Sequence, residues 1–199
     1  MLSKRVIDIV VSGLILIISA PLLALISVLV VSDSGFPVFF RQDRLGRNFK
    51  AFRILKFRSM RPSQGGPNVT VSGDARVTRA GRILRRTKLD ELPQFWNVLR
   101  GDMSLVGPRP EVEQYVSLHS GRYRRILTVR PGITDPASLR FQNEEAMLAA
   151  SDDPFRYYAE VILPAKLDMA EEYIRTRSLR RDFTVLFKTA LLAIPGTRH

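Results

Sequence analysis

Two adjacent carboxylates, Asp90 and Glu91, are the residues of this chain whose types and spacing best suit chemistry. They lie in the segment RTKLDELPQF, residues 86–95, between a basic run and Pro93. Adjacent carboxylates repel each other, so keeping both ionised requires a nearby cation, either Arg or Lys side chains or bound Mg²⁺. A carboxylate can attack a phosphoryl group and form an acyl phosphate. The alternative is that both residues only interact with the positive end of a following helix, which contributes about 0.3–1 kcal/mol each.

Three basic residues, Lys56, Arg85 and Arg109, are candidates for binding phosphates beside these carboxylates. Arginine and Mg²⁺ can offset the charge of a diphosphate that would otherwise repel an incoming anion. The whole chain favours anionic partners, because 31 Lys and Arg against 19 Asp and Glu in 199 residues give a net charge of +12. Charge alone allows phospholipid headgroups, nucleic acid or phosphorylated small molecules.

Metal sites built from sulfur or imidazole do not fit the composition. The sequence has no cysteine, which excludes disulfides and thiolate ligands, and it has two histidines, which is too few for the usual histidine-based zinc sites. A site built from oxygen ligands, which Mg²⁺ prefers, remains compatible with the composition.

An uncharged apolar segment, residues 9–31, precedes these candidates. As a straight helix it would be about 35 Å long, enough to cross a hydrocarbon core of about 30 Å. Pro21 near its midpoint favours a break or kink. Basic residues on both sides, Lys4 and Arg5 before it and three arginines after it, place both flanks in the cytoplasm by the positive-inside rule. A re-entrant helix satisfies both observations, whereas a signal peptide and a kinked transmembrane anchor are the alternatives.

A β-hairpin is predicted after the apolar segment. Residues 38–42 and 49–57 have strand composition and are joined by a turn that contains Gly46. Lys56 then lies near a strand end. The following stretch, residues 61–74, is rich in Gly, Pro and Ser and is predicted to be a mobile loop, either a lid or slack chain.

Two helices are predicted to flank the acidic pair. Thr78 is a suitable N-cap for a basic amphipathic helix. Pro93 suits the first position of another helix, for which Gly101 is the C-terminal stop. Asp90 and Glu91 are therefore expected immediately before a helix N-terminus.

The rest of the chain is predicted to contain turns followed by helices. Residues 104–111 and 129–136 have turn composition, and residues 159–175 and 180–194 are predicted amphipathic helices. The last helix carries an apolar stripe that fits either the core or a membrane surface: Phe183, Leu186, Phe187, Ala190 and Leu191.

The predicted architecture is α+β. Residues 1–33 form a membrane-inserted helix–break–helix, and residues 34–199 form one catalytic domain with a small hairpin and several amphipathic helices.

Four stretches in order carry a resemblance to a known family. They are the apolar segment with its proline, residues 9–31; PVFFRQDRLGRNFKAFRILKFRSM; DARVTRAGRILRRTKLDELPQFWNVLRGDMSLVGPRPE; and RPGIT with YIRTRSLRRDFTVLFKT. Together they resemble the small monotopic phosphoglycosyl transferases, the bacterial sugar transferase family that begins lipid-linked glycan assembly. The resemblance implies a monotopic enzyme with a re-entrant helix, at the cytoplasmic face of the bacterial inner membrane, that uses Mg²⁺.

The resemblance also implies a reaction and a set of residues. Asp90 would attack the β-phosphate of a UDP-sugar, expel UMP and hold the phosphosugar covalently until polyprenyl phosphate, usually undecaprenyl phosphate, accepts it. Glu91 would bind the metal with Asp90 or orient Asp90. Lys56, Arg85 and Arg109 match the positions expected to hold phosphates.

Three departures from the family pattern bear on the substrates and the bend. Ala20 precedes Pro21 where many members have serine, and Ser19 could substitute. Asp135 and Pro136 follow Ile133 and Thr134, where the commoner family pattern is a glycine followed by a glutamine and later an Arg-Asn pair. Gln142 occupies the place of an arginine thought to contact the nucleotide or its phosphate, so Gln142 is the predicted substrate-binding residue there.

Other functions compete with this interpretation. A noncatalytic basic membrane-surface or nucleic-acid-binding protein would use the arginines for phosphates alone. The sequence has no recognisable nucleic-acid motif, so membrane lipids and no nucleic acid are the expected partners. A UDP-sugar hydrolase is an enzymatic alternative. The sequence permits a homo-oligomer and does not identify the sugar.

Overall fold

The protein combines many helices with two small sheets. The computed structural model describes residues 2–61, 71 and 73–193. Its α-helices are α1 (Leu2–Ser34), α2 (Arg79–Thr87), α3 (Gln94–Arg100), α4 (Glu113–Leu118), α5 (Ser120–Ile126), α6 (Pro136–Arg140), α7 (Glu144–Ala149), α8 (Pro154–Tyr157), α9 (Leu163–Thr176) and α10 (Leu179–Ala193). Its strands are β1 (Phe39–Leu45), β2 (Ala51–Phe57), β3 (Ser104–Val106) and β4 (Gly132–Thr134). The predicted mixture of helices and small sheets is confirmed.

The N-terminal apolar segment forms a single helix. α1 is continuous through Pro21, so the predicted break is not seen there. Within the described part of the chain it is the one helix long and apolar enough to cross a membrane by length and composition. The Ser19 hydroxyl donates to the carbonyl of Ile15 at 2.6 Å. Pro21 has no amide hydrogen to donate to the carbonyl of Ile17, and the Ser19 hydroxyl does not bond to that carbonyl in its place.

Both ends of α1 contact the rest of the protein. Near the N-terminus, Arg5 donates to the last carbonyls of α3 at 2.7 and 2.9 Å. Near the C-terminus, Ile26 and Val30 are buried against Phe57 and Leu84. Exposed apolar side chains occur along α1 from Val6 to Leu29, so one side of the helix is not covered by the domain.

The predicted hairpin is confirmed and is joined to the end of α1. β1 and β2 pair antiparallel from Phe39 opposite Phe57 to Leu45 opposite Ala51. Arg58, which follows β2, is buried and donates to the carbonyls at the C-terminal end of α1 and just beyond it, from 34 to 36. The hairpin and α1 are thereby held in one arrangement.

Helices α2 and α3 begin and end near the predicted positions. The Thr78 hydroxyl accepts a hydrogen bond from the Gly81 amide at 2.9 Å, as expected of an N-cap. Pro93 immediately precedes α3, and Gly101, with φ of 91°, ends it. These local signals fix the turn between the helices, which contains the acidic pair.

The two segments predicted to be turns also contain a parallel strand pair. Ser104 pairs with Gly132 and Val106 with Thr134. The segments approach so closely that a Cβ atom on Gly132 would lie 2.1 Å from the amide nitrogen of Gly107. Glycine at this point therefore allows the loop that carries Arg109 to pack against β4.

The C-terminal helices are confirmed with shifted bounds. A π-helical turn, Tyr158–Ile162, leads into α9, and α10 ends at Ala193, so the predicted end at residue 194 lies outside the described residues. In α10 the core face consists of Val185 and Leu186, whereas Phe183 is 55% and Phe187 66% exposed. The predicted mobile loop also lies mainly outside the described residues, which lack 62–70 and 72.

Candidate active site

The acidic pair lies in a 3₁₀ turn, Leu89–Glu91, between α2 and α3. Lys88, in the left-handed conformation with φ of 59°, ends α2 and starts this turn. Asp90 is 5% exposed and lines a large cavity. Its Oδ1 atom is buried and has no hydrogen-bond partner among the described residues. An unpartnered buried carboxylate oxygen is costly, which marks this atom as available for a ligand or a reaction.

Glu91 is held by two of the predicted phosphate-binding residues. Its Oε1 atom accepts hydrogen bonds from Lys56 Nζ at 2.8 Å and from Arg109 Nη2. Lys56 comes from β2 and Arg109 from the loop after β3, so the turn brings together residues far apart in sequence. Glu91 therefore fixes the positions of the two cations beside Asp90.

The two carboxyl groups have opposite pKa shifts. Burial raises the pKa of Asp90, although Lys56 opposes this. Burial acts in the same direction on Glu91, but the charges of Arg109 and Lys56 together hold the pKa of Glu91 well below its usual range. Glu91 is thus a fixed anion, whereas Asp90 is the more basic carboxylate of the pair.

Burial also affects Lys56. It lowers the pKa of the Lys56 ammonium group, and the charge of Glu91 opposes that change. The pKa of Arg109 is raised by Glu91, so Arg109 remains a permanent cation.

A buried aspartate positions the loop that carries Arg109. Asp135 Oδ2 accepts a hydrogen bond from the Arg109 backbone amide at 3.1 Å, and its Oδ1 accepts one from the Ser138 amide at 2.6 Å. The same side chain therefore caps α6 and anchors the arginine loop. This is the position where the sequence departs from the family's commoner glycine.

The cavity has a volume of about 1090 Å³. Arg85 lines it together with Asp90, Lys56 and Arg109, and Arg85 pairs with Glu145. Glu91 lies behind this surface. Further cations that line the cavity are Arg41, Arg44, Arg58, Arg61, Arg76 and Lys166. The arrangement can bind a phosphate-rich ligand with its phosphates next to the unpartnered oxygen of Asp90.

Besides Glu91, two other predicted residues do not line this cavity. Gln142 is exposed and its amide donates to the carbonyl of Leu139 at 2.9 Å. Pro21 lies within α1. A substrate contact by Gln142 therefore stays a prediction that the observed side-chain position does not support.

Sequence reasoning did not identify a second group of cavity residues. They come from β1, the loop after Arg109, α4, α7, the π turn and α9: Arg44, Glu111, Tyr115, Glu144, Tyr158 and Lys166. Arg44 and Glu111 lie within the stretches of sequence that carry the family resemblance. The others are brought there by the fold.

The protein offers few ligands for a metal. Within residues 2–61, 71 and 73–193, no group of three or more His, Cys, Asp or Glu side chains could hold a metal ion. Mg²⁺ commonly needs only one or two carboxylates when substrate phosphates and water complete its coordination. Asp90 Oδ1 fits that role, while Glu91 Oε1 is already shared by two cations.

Comparison with known proteins gives a consistent result. A family model described as bacterial sugar transferase matches residues 1–196. The chain is 41% identical over 193 residues to the UDP-glucose:undecaprenyl-phosphate glucose-1-phosphate transferase of Caulobacter vibrioides, covering 94% of this chain and 68% of that protein.

Two further relatives differ in length. The UDP-N-acetylgalactosamine-undecaprenyl-phosphate N-acetylgalactosaminephosphotransferase of Aeromonas hydrophila is 38% identical over 97% of this chain, which spans only 44% of that protein. The exopolysaccharide production protein PSS of Rhizobium leguminosarum is 36% identical, with 94% of this chain and 93% of that protein covered. The chain thus spans less than half of one relative and nearly the whole of another.

Proposed function

The chain belongs to the bacterial sugar transferase family, and from this premise we propose that it transfers a phosphosugar from a UDP-sugar to undecaprenyl phosphate and releases UMP. Such a reaction begins the assembly of a lipid-linked glycan. The observation that carries the proposal is the buried, unpartnered Oδ1 atom of Asp90 in a cavity lined by cations.

Asp90 is the nucleophile of the proposed reaction. A carboxylate oxygen forms a bond to the β-phosphorus of the donor, the bond from that phosphorus to the bridging oxygen breaks, and UMP leaves with the electron pair. A phosphate oxygen of undecaprenyl phosphate then attacks the same phosphorus, and the Asp90 carboxylate leaves. The raised pKa of Asp90 makes its ionised form a stronger nucleophile than an ordinary aspartate.

The basic residues bind the phosphates in this proposal. Arg109 and Lys56 both donate hydrogen bonds to Glu91 Oε1, so their side chains are already held in place to contact a phosphate. Arg85 lines the same cavity and can contact the other phosphate. Glu91 acts by positioning these cations, because it does not itself line the cavity.

We propose that the reaction uses Mg²⁺ and that Asp90 and the substrate would hold it. The Asp90 carboxylate would be the protein ligand of the ion, and the diphosphate would supply further oxygens. The chemistry that Mg²⁺ would supply there is positive charge to offset the diphosphate and the departing UMP.

We propose that α1 enters one leaflet and that both of its ends lie at the cytoplasmic face of the bacterial inner membrane. A helix that crossed the bilayer would have its ends on opposite sides. Here Arg5 near one end and Val30 near the other both contact the same domain, and exposed apolar residues such as Ile17 and Ile18 lie between them. A hydrocarbon leaflet can cover that middle stretch.

The function can be tested with purified protein in lipid nanodiscs. UDP-sugars labelled in the sugar are screened for UMP release with and without undecaprenyl phosphate. We expect UMP from one or a few donors and a labelled product that partitions into organic solvent. UMP release with all label left in water would instead indicate a UDP-sugar hydrolase, and no UMP release from any donor would contradict the proposal.

The topology has its own test, which the absence of native cysteine makes simple. Single cysteines at Ser3 and Ser32 are exposed to a membrane-impermeant thiol reagent in inverted and right-side-out vesicles. We expect both to react in inverted vesicles only. Reaction of the two sites from opposite sides would contradict the re-entrant arrangement without affecting the proposed chemistry.

A further inference from the structure

One end of the large cavity differs from the phosphate-binding end in its chemistry. We call it the tyrosine lobe, formed by Arg44, Glu111, Tyr115, Glu144, Tyr158 and Lys166. Along β1, Arg44 lies four residues beyond Phe40, and Phe40 pairs with Lys56. Four residues of an antiparallel strand span about 14 Å, so the backbone of Arg44 lies well beyond that of Lys56 along the hairpin. Arg44 also donates to the carbonyl of Pro110 at 3.2 Å, so the tyrosine lobe adjoins the phosphate-binding part of the cavity at Arg109.

The charges of the tyrosine lobe cancel each other. Glu111 Oε2 pairs with Arg44 at 3.3 Å, and its Oε1 accepts a hydrogen bond from the Tyr158 hydroxyl at 2.7 Å. Lys166 pairs with Glu144 and lies over the ring of Tyr158, 4.9 Å from its centroid. Two cations therefore match two anions here. Around Asp90, the cations Lys56, Arg85 and Arg109 are also paired, with Glu91 and Glu145. Further cations line that part of the cavity, however, so positive charge is in excess there: Arg41, Arg58 and Arg61.

The tyrosine lobe nevertheless contains unused hydrogen-bonding groups. Tyr115 is 2% exposed and lines the cavity, and its hydroxyl has no hydrogen-bond partner within the described ranges of the chain. The Nε atom of Arg44 is likewise buried and unpartnered there. Burial raises the pKa of Tyr115 to about 12, with Glu111 adding to the effect, so its hydroxyl can donate at neutral pH. An unsatisfied buried hydroxyl beside a cavity indicates a partner that is a ligand.

The charge distribution in the cavity indicates which part of the UDP-sugar donor binds in the tyrosine lobe. The α-phosphate and β-phosphate are anions, and they belong beside the cationic residues around Asp90. A balanced set of ion pairs with a tyrosine ring and hydroxyl groups suits a neutral polyhydroxylated ring, which offers hydroxyl groups and apolar C–H faces.

The order of the two transfer steps supports the same assignment. The sugar stays attached to Asp90 through its phosphate while UMP leaves and the lipid arrives. The apolar residues Phe36, Phe39 and Phe40 line the cavity at the end nearest the close of α1, where a lipid would enter. The tyrosine lobe lies away from that path, so a sugar placed there would not block the acceptor.

We propose that the tyrosine lobe binds the neutral sugar of the UDP-sugar donor and that the Tyr115 hydroxyl hydrogen-bonds to one hydroxyl group of that sugar. This assignment rests on the proposed function. Glu111 and Tyr158, already hydrogen-bonded to each other, supply a second polar contact and help decide which sugar is accepted. Tyr115 is thus a specificity-determining residue, not a group that takes part in bond formation.

The test compares Tyr115→Phe with a matched change, Tyr123→Phe. Tyr123 belongs to the same buried cluster but does not line the cavity. Each protein in nanodiscs is assayed for UMP release from the best donor and from its singly deoxygenated analogues, and for inhibition by UMP. Because a neutral hydrogen bond contributes about 1 kcal/mol, we expect Tyr115→Phe to lower kcat/KM for the best donor about fivefold.

The deoxy analogues make the interpretation specific. For one deoxy analogue, kcat/KM of the wild type should be about fivefold lower than for the best donor. Tyr115→Phe should not lower kcat/KM for that analogue further, because the contacted hydroxyl is already missing. Inhibition by UMP should be the same in Tyr115→Phe as in the wild type. Tyr123→Phe should match the wild type in kcat/KM for every donor and in inhibition by UMP. Weaker inhibition by UMP would assign the tyrosine lobe to uridine, and an equal loss for every analogue or no loss at all would also overturn the subsite. If the wild type releases UMP from no donor, the proposed function fails, and the subsite with it.

Discussion

Two buried aspartates in different regions of the protein, Asp8 and Asp90, illustrate two uses of the same side chain. Asp8, in α1, is 3% exposed; its Oδ2 accepts a hydrogen bond from the Ser104 hydroxyl at 2.8 Å and its Oδ1 one from the Leu105 amide at 3.1 Å. Asp90 is buried to a similar degree, yet its Oδ1 has no partner among the described residues. A satisfied buried carboxylate stabilises a fold, whereas an unsatisfied one indicates a reactive or ligand-binding position.

The surroundings of the two aspartates extend this difference. Around Asp8, Lys4 pairs with Asp182 at 2.5 Å, and Asp182 also accepts a hydrogen bond from the Tyr173 hydroxyl at 2.6 Å, so these charges have partners within the fold. Around Asp90 the cations Lys56, Arg85 and Arg109 face a cavity. The first region should therefore respond to mutation mainly in stability and the second mainly in activity.

The largest expected effect is the loss of activity in Asp90→Asn. The amide cannot form the covalent phosphosugar intermediate, so UMP release should fall by at least about 10³-fold, as when other nucleophiles are removed. Intact mass spectrometry should detect a phosphosugar adduct on the wild type during turnover and none on the variant.

An exposed carboxylate provides the control for that change. Asp43 is largely exposed, with a pair to Arg53 at the surface, and Asp43→Asn should retain activity within about twofold. Turnover by Asp90→Asn at a rate near that of Asp43→Asn would show that Asp90 is not the nucleophile.

The second expected effect is a loss of stability in Asp8→Ala. The variant leaves the Ser104 hydroxyl and the Leu105 amide buried without their acceptor, which should lower the free energy of unfolding by about 3 kcal/mol. Thermal unfolding in detergent would measure the change, with Asp43→Asn again as the control. The fraction that remains folded should keep most of its activity. A fully stable Asp8→Ala protein would contradict the comparison.

Local sequence signals predicted part of this structure correctly. The hairpin, the N-cap at Thr78 and the limits of α3 at Pro93 and Gly101 depend on residues within a few positions of each other. The acidic pair and its location before a helix were predicted for the same reason. Lys56, Arg85 and Arg109 were named from charge and resemblance, while their convergence on one cavity required the structure.

Long-range contacts account for what the sequence did not reveal. Strands β3 and β4 are three residues each, which is too short for a periodic pattern, and they pair Ser104 with Gly132, residues far apart in sequence. Tyr115, Tyr158 and Lys166 reach the tyrosine lobe from separate helical elements. The difference between Asp8 and Asp90 depends on hydrogen bonds across the fold, so the two residue types alone could not predict it.

The smallest expected effect concerns how stability depends on pH at the acidic pair. Burial raises the pKa of Asp90 in the folded protein above the value of about 3.9 expected when it is unfolded. Its contribution to stability is therefore present below that value and is lost as the pH rises through the folded pKa. Asp90→Asn, which cannot ionise, should gain stability relative to the wild type as the pH rises toward neutral.

Glu91→Gln should show the opposite dependence. Although burial acts against it, the charges of Arg109 and Lys56 hold the folded pKa of Glu91 below the unfolded value of about 4.3. The stability it contributes is present above that value and is lost as the pH falls toward the folded pKa, so Glu91→Gln should be less stable than the wild type at neutral pH and approach it in acid. Unfolding temperatures between about pH 3.5 and 7.5 would measure both differences. If the two variants drift in the same direction with pH, the two carboxylates do not have the distinct roles that their contacts indicate.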